Sequence, residues 1–247
     1  TPTSINMFNH RLSRISRPYP SKVVRNLVLG GLLLSLAAIA VAGKPANVTP
    51  AEIALLPEYC PDAQLVGKYG DAYTNTSPNA AKWVGLMGKG FWAIHHYCWA
   101  LINLARAEKP SVPANLRKGT REAAIDDMGY VIENTAPDFI LLPEIYTKVG
   151  EVLLLLKHPP EARDAFVKAR SLKPDYWPAY LQWAQFLRSV GKKAEARKVV
   201  EEGLSYSPDA KALQGLLTAL GGDPANVSPR PPSATPSKST DKAEPAE

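Results

Sequence analysis

The sequence predicts an all-α protein, a short solenoid of helical hairpins. Residues 143–176 and 177–210 repeat one another at a fixed offset of 34, and within each unit apolar residues return at i, i+3, i+4 and i+7, the spacing of one helix face. Prolines close the units at Pro174 and Pro208, where a helix must stop.

Composition sets the outer limits. The chain has 247 residues, 45% of them apolar, enough to bury a core. It carries 29 Lys and Arg against 23 Asp and Glu, a net charge of +6. Six of those cations (Arg11, Arg14, Arg17, Lys22, Arg25 and Lys44) fall in residues 1–44, which hold no acid. The remaining 23 of the 29 meet 23 acids over 45–247, so the body is neutral and lacks the long-range field of a nucleic-acid binder. Two cysteines are too few for a disulfide-dense scaffold or a four-thiolate metal site.

Residues 1–44 read as a signal peptide or an N-terminal membrane anchor. Scattered cations precede Leu27 to Val41, 15 residues without charge, and Ala40-Val41-Ala42 places small residues where a signal peptidase reads them. The expected cut follows Ala42. As a helix the apolar run spans about 22 Å, short of the ~30 Å hydrocarbon core; an uncleaved anchor is the alternative. Either way residues 45–247 are expected outside the cytoplasm, periplasmic or tethered to the inner membrane, with membrane contact only through the leader.

Residues 45–80 are expected to hold a short helix and an irregular loop. Thr49-Pro50-Ala51-Glu52 is a helix start, with Thr as N-cap, Pro in the first turn and Glu three residues on, and Pro57 halts it. Gly67 to Asn79 is rich in Gly, Asp, Asn and Thr and reads as loop. Residues 81–142 read as a degenerate helical hairpin. One long helix is predicted from about Asn79–Ala81 to Ala107, and a second from Ala114 to Thr135 with Ala124, Met128 and Val131 on one stripe.

The repeats follow. Tyr146, Val149, Gly150 and Leu153 fall on Tyr180, Trp183, Ala184 and Leu187; Ala162, Phe166, Ala169 and Pro174 fall on Ala196, Val200, Gly203 and Pro208. Small residues let two backbones approach while large ones interdigitate around them. A hairpin cannot bury its face alone, so units must stack. Residues 211–222 form a capping helix with Leu213, Leu216, Leu217 and Leu220 in its stripe and Gly221-Gly222 as its stop. Residues 223–247, dominated by Pro, Ser, Thr, Lys and Glu, read as a disordered tail.

The pattern bulky-x2-bulky-small-x2-bulky, small-x3-bulky, small, proline closely resembles the tetratricopeptide repeat (TPR). The resemblance covers both 34-residue units, with 81–142 as a degenerate third. It implies that the first helix of each unit lines a concave groove holding a peptide or partner helix. Carried over by position, the groove residues are Thr147, Lys148 and Glu151 in one unit and Leu181, Gln182, Gln185 and Arg188 in the next. The set is mixed polar and lacks the basic cluster that would clamp a C-terminal carboxylate.

One cluster invites chemistry. His95-His96-Tyr97-Cys98-Trp99, with Cys60, offers two imidazoles and two thiolates, a zinc-like set. Neighbouring helical residues point about 100° apart, which sets His95 and His96 against sharing one tetrahedral ion with Cys98. In an exported chain a Cys60–Cys98 disulfide is the better reading, closing a 38-residue loop worth roughly 3–4 kcal/mol; two buried free thiols are the alternative. There is no G-x-S-x-G, H-E-x-x-H or phosphate loop. Gly85 to Gly90 lacks a preceding strand and reads as a loosened stretch of helix, and Asp126-Asp127 as a solvated face. Tyr176, Trp177, Tyr180 and Trp183 form an aromatic corner suited to packing between units or to self-association.

The resulting expectation is a non-catalytic scaffold or assembly factor of the cell envelope, binding another protein or peptide segment in its groove without cofactor or metal. The rival is a metal-binding or enzymatic protein centred on His95, His96 and Cys98.

Overall fold

A computed structural model describes residues 43–67 and 77–230. Residues 1–42 of the leader, residues 231–247 and most of the loop read over 67–79 lie outside these. Among the described residues there are nine α-helices, three short 3-10 turns and no strand. The helices are α1 (Pro50–Ala54), α2 (Ala80–Met87), α3 (His95–Ala107), α4 (Ala114–Glu133), α5 (Leu142–Leu155), α6 (Pro159–Leu172), α7 (Trp177–Ser189), α8 (Lys193–Tyr206) and α9 (Lys211–Ala219). None is long and apolar enough to cross a membrane.

Three hairpins dominate: α3 packs on α4, α5 on α6 and α7 on α8. Both α5 and α6 also touch α7, so the second and third hairpins nest. The 34-residue offset of the sequence recurs in the backbone. At α5–α6 the His158 N–H donates to the Leu153 carbonyl at 2.9 Å and Lys157 to Leu154 at 3.0 Å; at α7–α8 Lys192 donates to Leu187 at 2.8 Å and Gly191 to Arg188 at 3.1 Å. Each turn needs a left-handed residue, Lys157 at φ +65° and Gly191 at φ +83°. Proline opens α5, α6 and α7 in the first turn, where its missing N–H costs nothing.

Volume complementarity holds the hairpins shut. A Cβ on Gly150 would stand 2.8 Å from the ring of Phe166, and one on Gly203 would stand 2.8 Å from Tyr180 and Leu213. Gly150 is therefore the clearance into which the Phe166 ring fits, and Ala162, Ala165, Phe166, Ala169, Ala184, Ala196 and Val200 are all buried. Leu213, Leu216 and Leu217 bury the inner face of α9. Gly221 and Gly222 return their N–H groups to Thr218 and Leu217, each at 2.9 Å, and close that helix. Of the segment read as tail, residues 223–230 fold back on α8: the Arg230 N–H donates to the Ser205 carbonyl at 2.7 Å and its guanidinium to Tyr206 Oη at 2.7 Å.

The N-terminal half departs from the expected outline at one helix. The long helix predicted up to Ala107 is broken in two, with a 3-10 turn over Gly88–Trp92 between α2 and α3. Gly88 takes φ +63°, which ends α2, and Gly90 lies so close to Phe139 that a Cβ would come within 2.4 Å of its ring. Gly90 thus admits the ring of Phe139 to the core. The short α1 has its capping box: Thr49 Oγ1 accepts from the Glu52 N–H at 3.2 Å and Glu52 Oε2 from the Thr49 N–H at 2.9 Å.

Candidate functional site

The residues carried over to the groove lie on α5 and α7, where they divide into three kinds. Thr147 does not face solvent. It is 3% exposed, and its hydroxyl donates to the Pro143 carbonyl one turn back at 2.8 Å. This corrects its expected place in the groove: α5 is apolar around so much of its girth that Thr147 lies between core positions Ile145, Tyr146 and Val149. Lys148 and Glu151 are half-buried and paired with each other. Leu181 is half-buried against the core, while Gln182, Gln185 and Arg188 present uncommitted polar ends, with no side-chain hydrogen bond or ion pair among the described residues.

A residue the sequence did not single out sits beside this face. Glu144, in the first turn of α5, accepts from Tyr97 Oη of α3 at 2.8 Å. Burial and the Glu144 carboxylate together push the hydroxyls of Tyr59, Tyr97 and Tyr176 above the ordinary tyrosine range. These phenols stay neutral donors at any physiological pH. The Tyr59 hydroxyl is buried and has no hydrogen-bond partner among the described residues.

The two cysteines meet. A disulfide joins Cys60 to Cys98, both wholly buried, and ties the turn over Cys60–Asp62 to α3. Such a bond fits a non-reducing environment. Next to it, Asp62 is buried with hydrogen bonds from Ser77 Oγ at 2.6 Å, Trp83 Nε1 at 2.7 Å and Asn79 Nδ2 at 3.3 Å. Burial alone would raise its pKa; these donors outweigh it and hold the carboxyl below the usual range.

The His95–His96 pair packs and hydrogen-bonds beside the aromatic stripe, as its place next to Trp99 leads one to expect, and does not form the zinc-like set of the rival reading. Cys98 is spent in the disulfide and offers no thiolate. The two imidazoles lie with ring centres 4.5 Å apart in the first turn of α3, both against Trp99, and His96 stacks on Tyr130 of α4 at 3.9 Å. His95 Nδ1 is 2.9 Å from the Trp92 carbonyl, and burial, with the neighbouring His96, lowers its pKa to about 4, so it is neutral at pH 7. His96 Nδ1 meets Asp127 Oδ1 at 2.8 Å. Asp127 itself overturns the expectation of a solvated face: it is 2% exposed, while its neighbour Asp126 faces water. Its burial was readable in the sequence, because 127 falls with Ala124, Met128 and Val131 on the inner stripe of α4. Asn103 and Arg106 were also missed. Arg106 donates to both carboxylate oxygens of Glu52, at 2.6 and 2.9 Å, and so fastens α1 to α3.

No family model, curated protein or solved structure matches the chain.

Proposed function

We propose that the chain is a TPR-type scaffold of an exported or envelope compartment, one that performs no catalysis and holds a partner polypeptide along the outward face of α7 beside the Lys148–Glu151 pair. The supporting observation is the contrast along these helices. Inner positions are filled by volume-matched residues at a 34-residue register, while Gln182, Gln185 and Arg188 stand in one row with no internal partner. Such a row offers amide donors and acceptors and one guanidinium, suited to an extended or helical segment with polar and acidic side chains. The disulfide supports the compartment.

Photo-crosslinking in the native cell tests this with the full-length chain. A probe at Gln182 or Gln185 is expected to give a discrete adduct that a probe at the exposed Lys198 of α8 does not, and Arg188→Glu is expected to weaken that adduct at least tenfold. Equal capture at all positions, or none at α7, overturns the proposal.

A further inference from the structure

Gly43, the first described residue, is held on both sides of its backbone. Its N–H donates to Asp127 Oδ2 at 3.1 Å, and its carbonyl accepts from Asn103 Nδ2 at 3.2 Å. One turn along α3, Arg106 donates to the carbonyls of Ala46 at 2.9 Å and Asn47 at 3.3 Å, so the strand of chain entering α1 is fastened along the helix. Gly43 has φ +129°, a conformation that suits glycine and few other residues.

The acceptor is unusual. Asp127 is 2% exposed, yet no lysine or arginine among the described residues pairs with it. Around it stand His96 and the neutral His95 on α3 and a second acid, Asp126, on α4. A buried carboxylate is ordinarily matched by a cation, and here no permanent one is present. The sequence supplies the missing charge: Ala40-Val41-Ala42, the small-residue pattern of a signal-peptidase site, ends one residue before Gly43.

We infer that Asp127, with Asn103, is a receptor for the amino-terminus created when the leader is cut after Ala42. In that step a signal peptidase adds water across the Ala42–Gly43 amide. The C–N bond breaks, Ala42 leaves as a carboxylate, and the Gly43 amine takes up a proton at neutral pH. A neutral amide donor then becomes a full positive charge at the same atom, 3.1 Å from a buried carboxylate oxygen. Gly43 is half-buried, which leaves the remaining ammonium protons to water. Processing thereby completes the electrostatics of the α3–α4 hairpin, and export is coupled to tightening of the half of the molecule that carries the disulfide.

The inference rests on the export reading, and the test separates the two. First, the amino-terminal residue of the exported full-length protein is determined by mass; Gly43 is expected. A retained leader or a cut elsewhere overturns the processing step and leaves the export reading standing; a cytoplasmic location of the chain overturns the export reading. Second, protein cut in vitro to begin at Gly43 is treated with a limiting amine-acylating reagent at pH 7. The Gly43 amine is expected to react at least tenfold more slowly in the folded chain than in urea, because each unit by which a pKa rises removes about nine-tenths of the reactive free base. Asp127→Asn is expected to abolish the protection. A second variant guards against misfolding: it retains Ala42, which moves the charge one residue, about 3.8 Å, along the chain and leaves Asp127 intact, and it too is expected to lose the protection. Labelling of the folded Gly43 form at the rate of the unfolded chain overturns the docking whatever the leader does.

Discussion

The two halves of this molecule are held together by different physics. From Leu142 to Gly222 the structure is a matter of volumes: Phe166 in the space above Gly150, Tyr180 and Leu213 against Gly203, with no long-range covalent tie. From Gly43 to Phe139 it is a matter of specific bonds between residues far apart in the chain: Cys60 to Cys98, Trp83 and Ser77 to Asp62, Arg106 to Glu52, and Asp127 to Gly43. The second and third hairpins share one register, with matching turns at Lys157 and Gly191. An irregular segment has no such neighbour and is specified contact by contact.

Three measurements would break or sharpen this contrast. The largest effect is expected from Phe166→Ala. It removes a fully buried ring from the centre of the α5–α6 hairpin and should cost about 3–5 kcal/mol in chemical denaturation, with protection lost first across α5–α8 in hydrogen exchange. Replacing both Cys60 and Cys98 by alanine should cost roughly 3–4 kcal/mol, given the 38-residue separation, and here exchange should rise in residues 45–107 while α7–α9 stay protected. If both variants melt the whole chain as one unit, the halves are not separate in energy and the contrast fails. The smallest effect is one of pH. His95 has a folded pKa of about 4 against an ordinary 6.5, so the unfolded chain takes up its proton first. The stability this represents is full above pH 6.5 and erodes as pH falls towards 4, by up to about 3 kcal/mol. His95→Gln should flatten that slope. Asp62, whose carboxyl is held below its usual range, contributes the opposite kind of group: its stabilisation is present above the ordinary carboxylate pKa and is lost only at lower pH, below the His95 window. A slope between pH 6.5 and 4 that survives the His95 substitution would locate the sensitivity elsewhere.

The same contrast explains what could be read from the amino acids alone. The all-helical class, the helix at 114–133 with its Ala124, Met128 and Val131 stripe, and the helices of 142–219 follow from local periodicity, which a linear pattern records. The disulfide follows from having only two cysteines and from the leader-like segment, which leads one to expect a non-reducing compartment. The break between α2 and α3 was half legible. The glycines at 85, 88 and 90 signalled a weak place, but the reason for it, the ring of Phe139, lies some fifty residues away. Asp127 was obscured by its company: Arg121, Glu122 and Asp126 make α4 look solvated, and only the helical register separates the one inward acid from the outward ones. Thr147 failed for the mirror reason, a polar residue on a helix that has almost no outer side.

The closing helix α9 has one further consequence. Its inner face is leucine, but the side it turns away carries Lys211, Gln214 and Thr218, and the chain then loops back to set Arg230 over Tyr206. Among the described residues the outer side of α9 presents polar side chains and small alanines rather than a second leucine stripe, so another copy finds little apolar surface there to stack on.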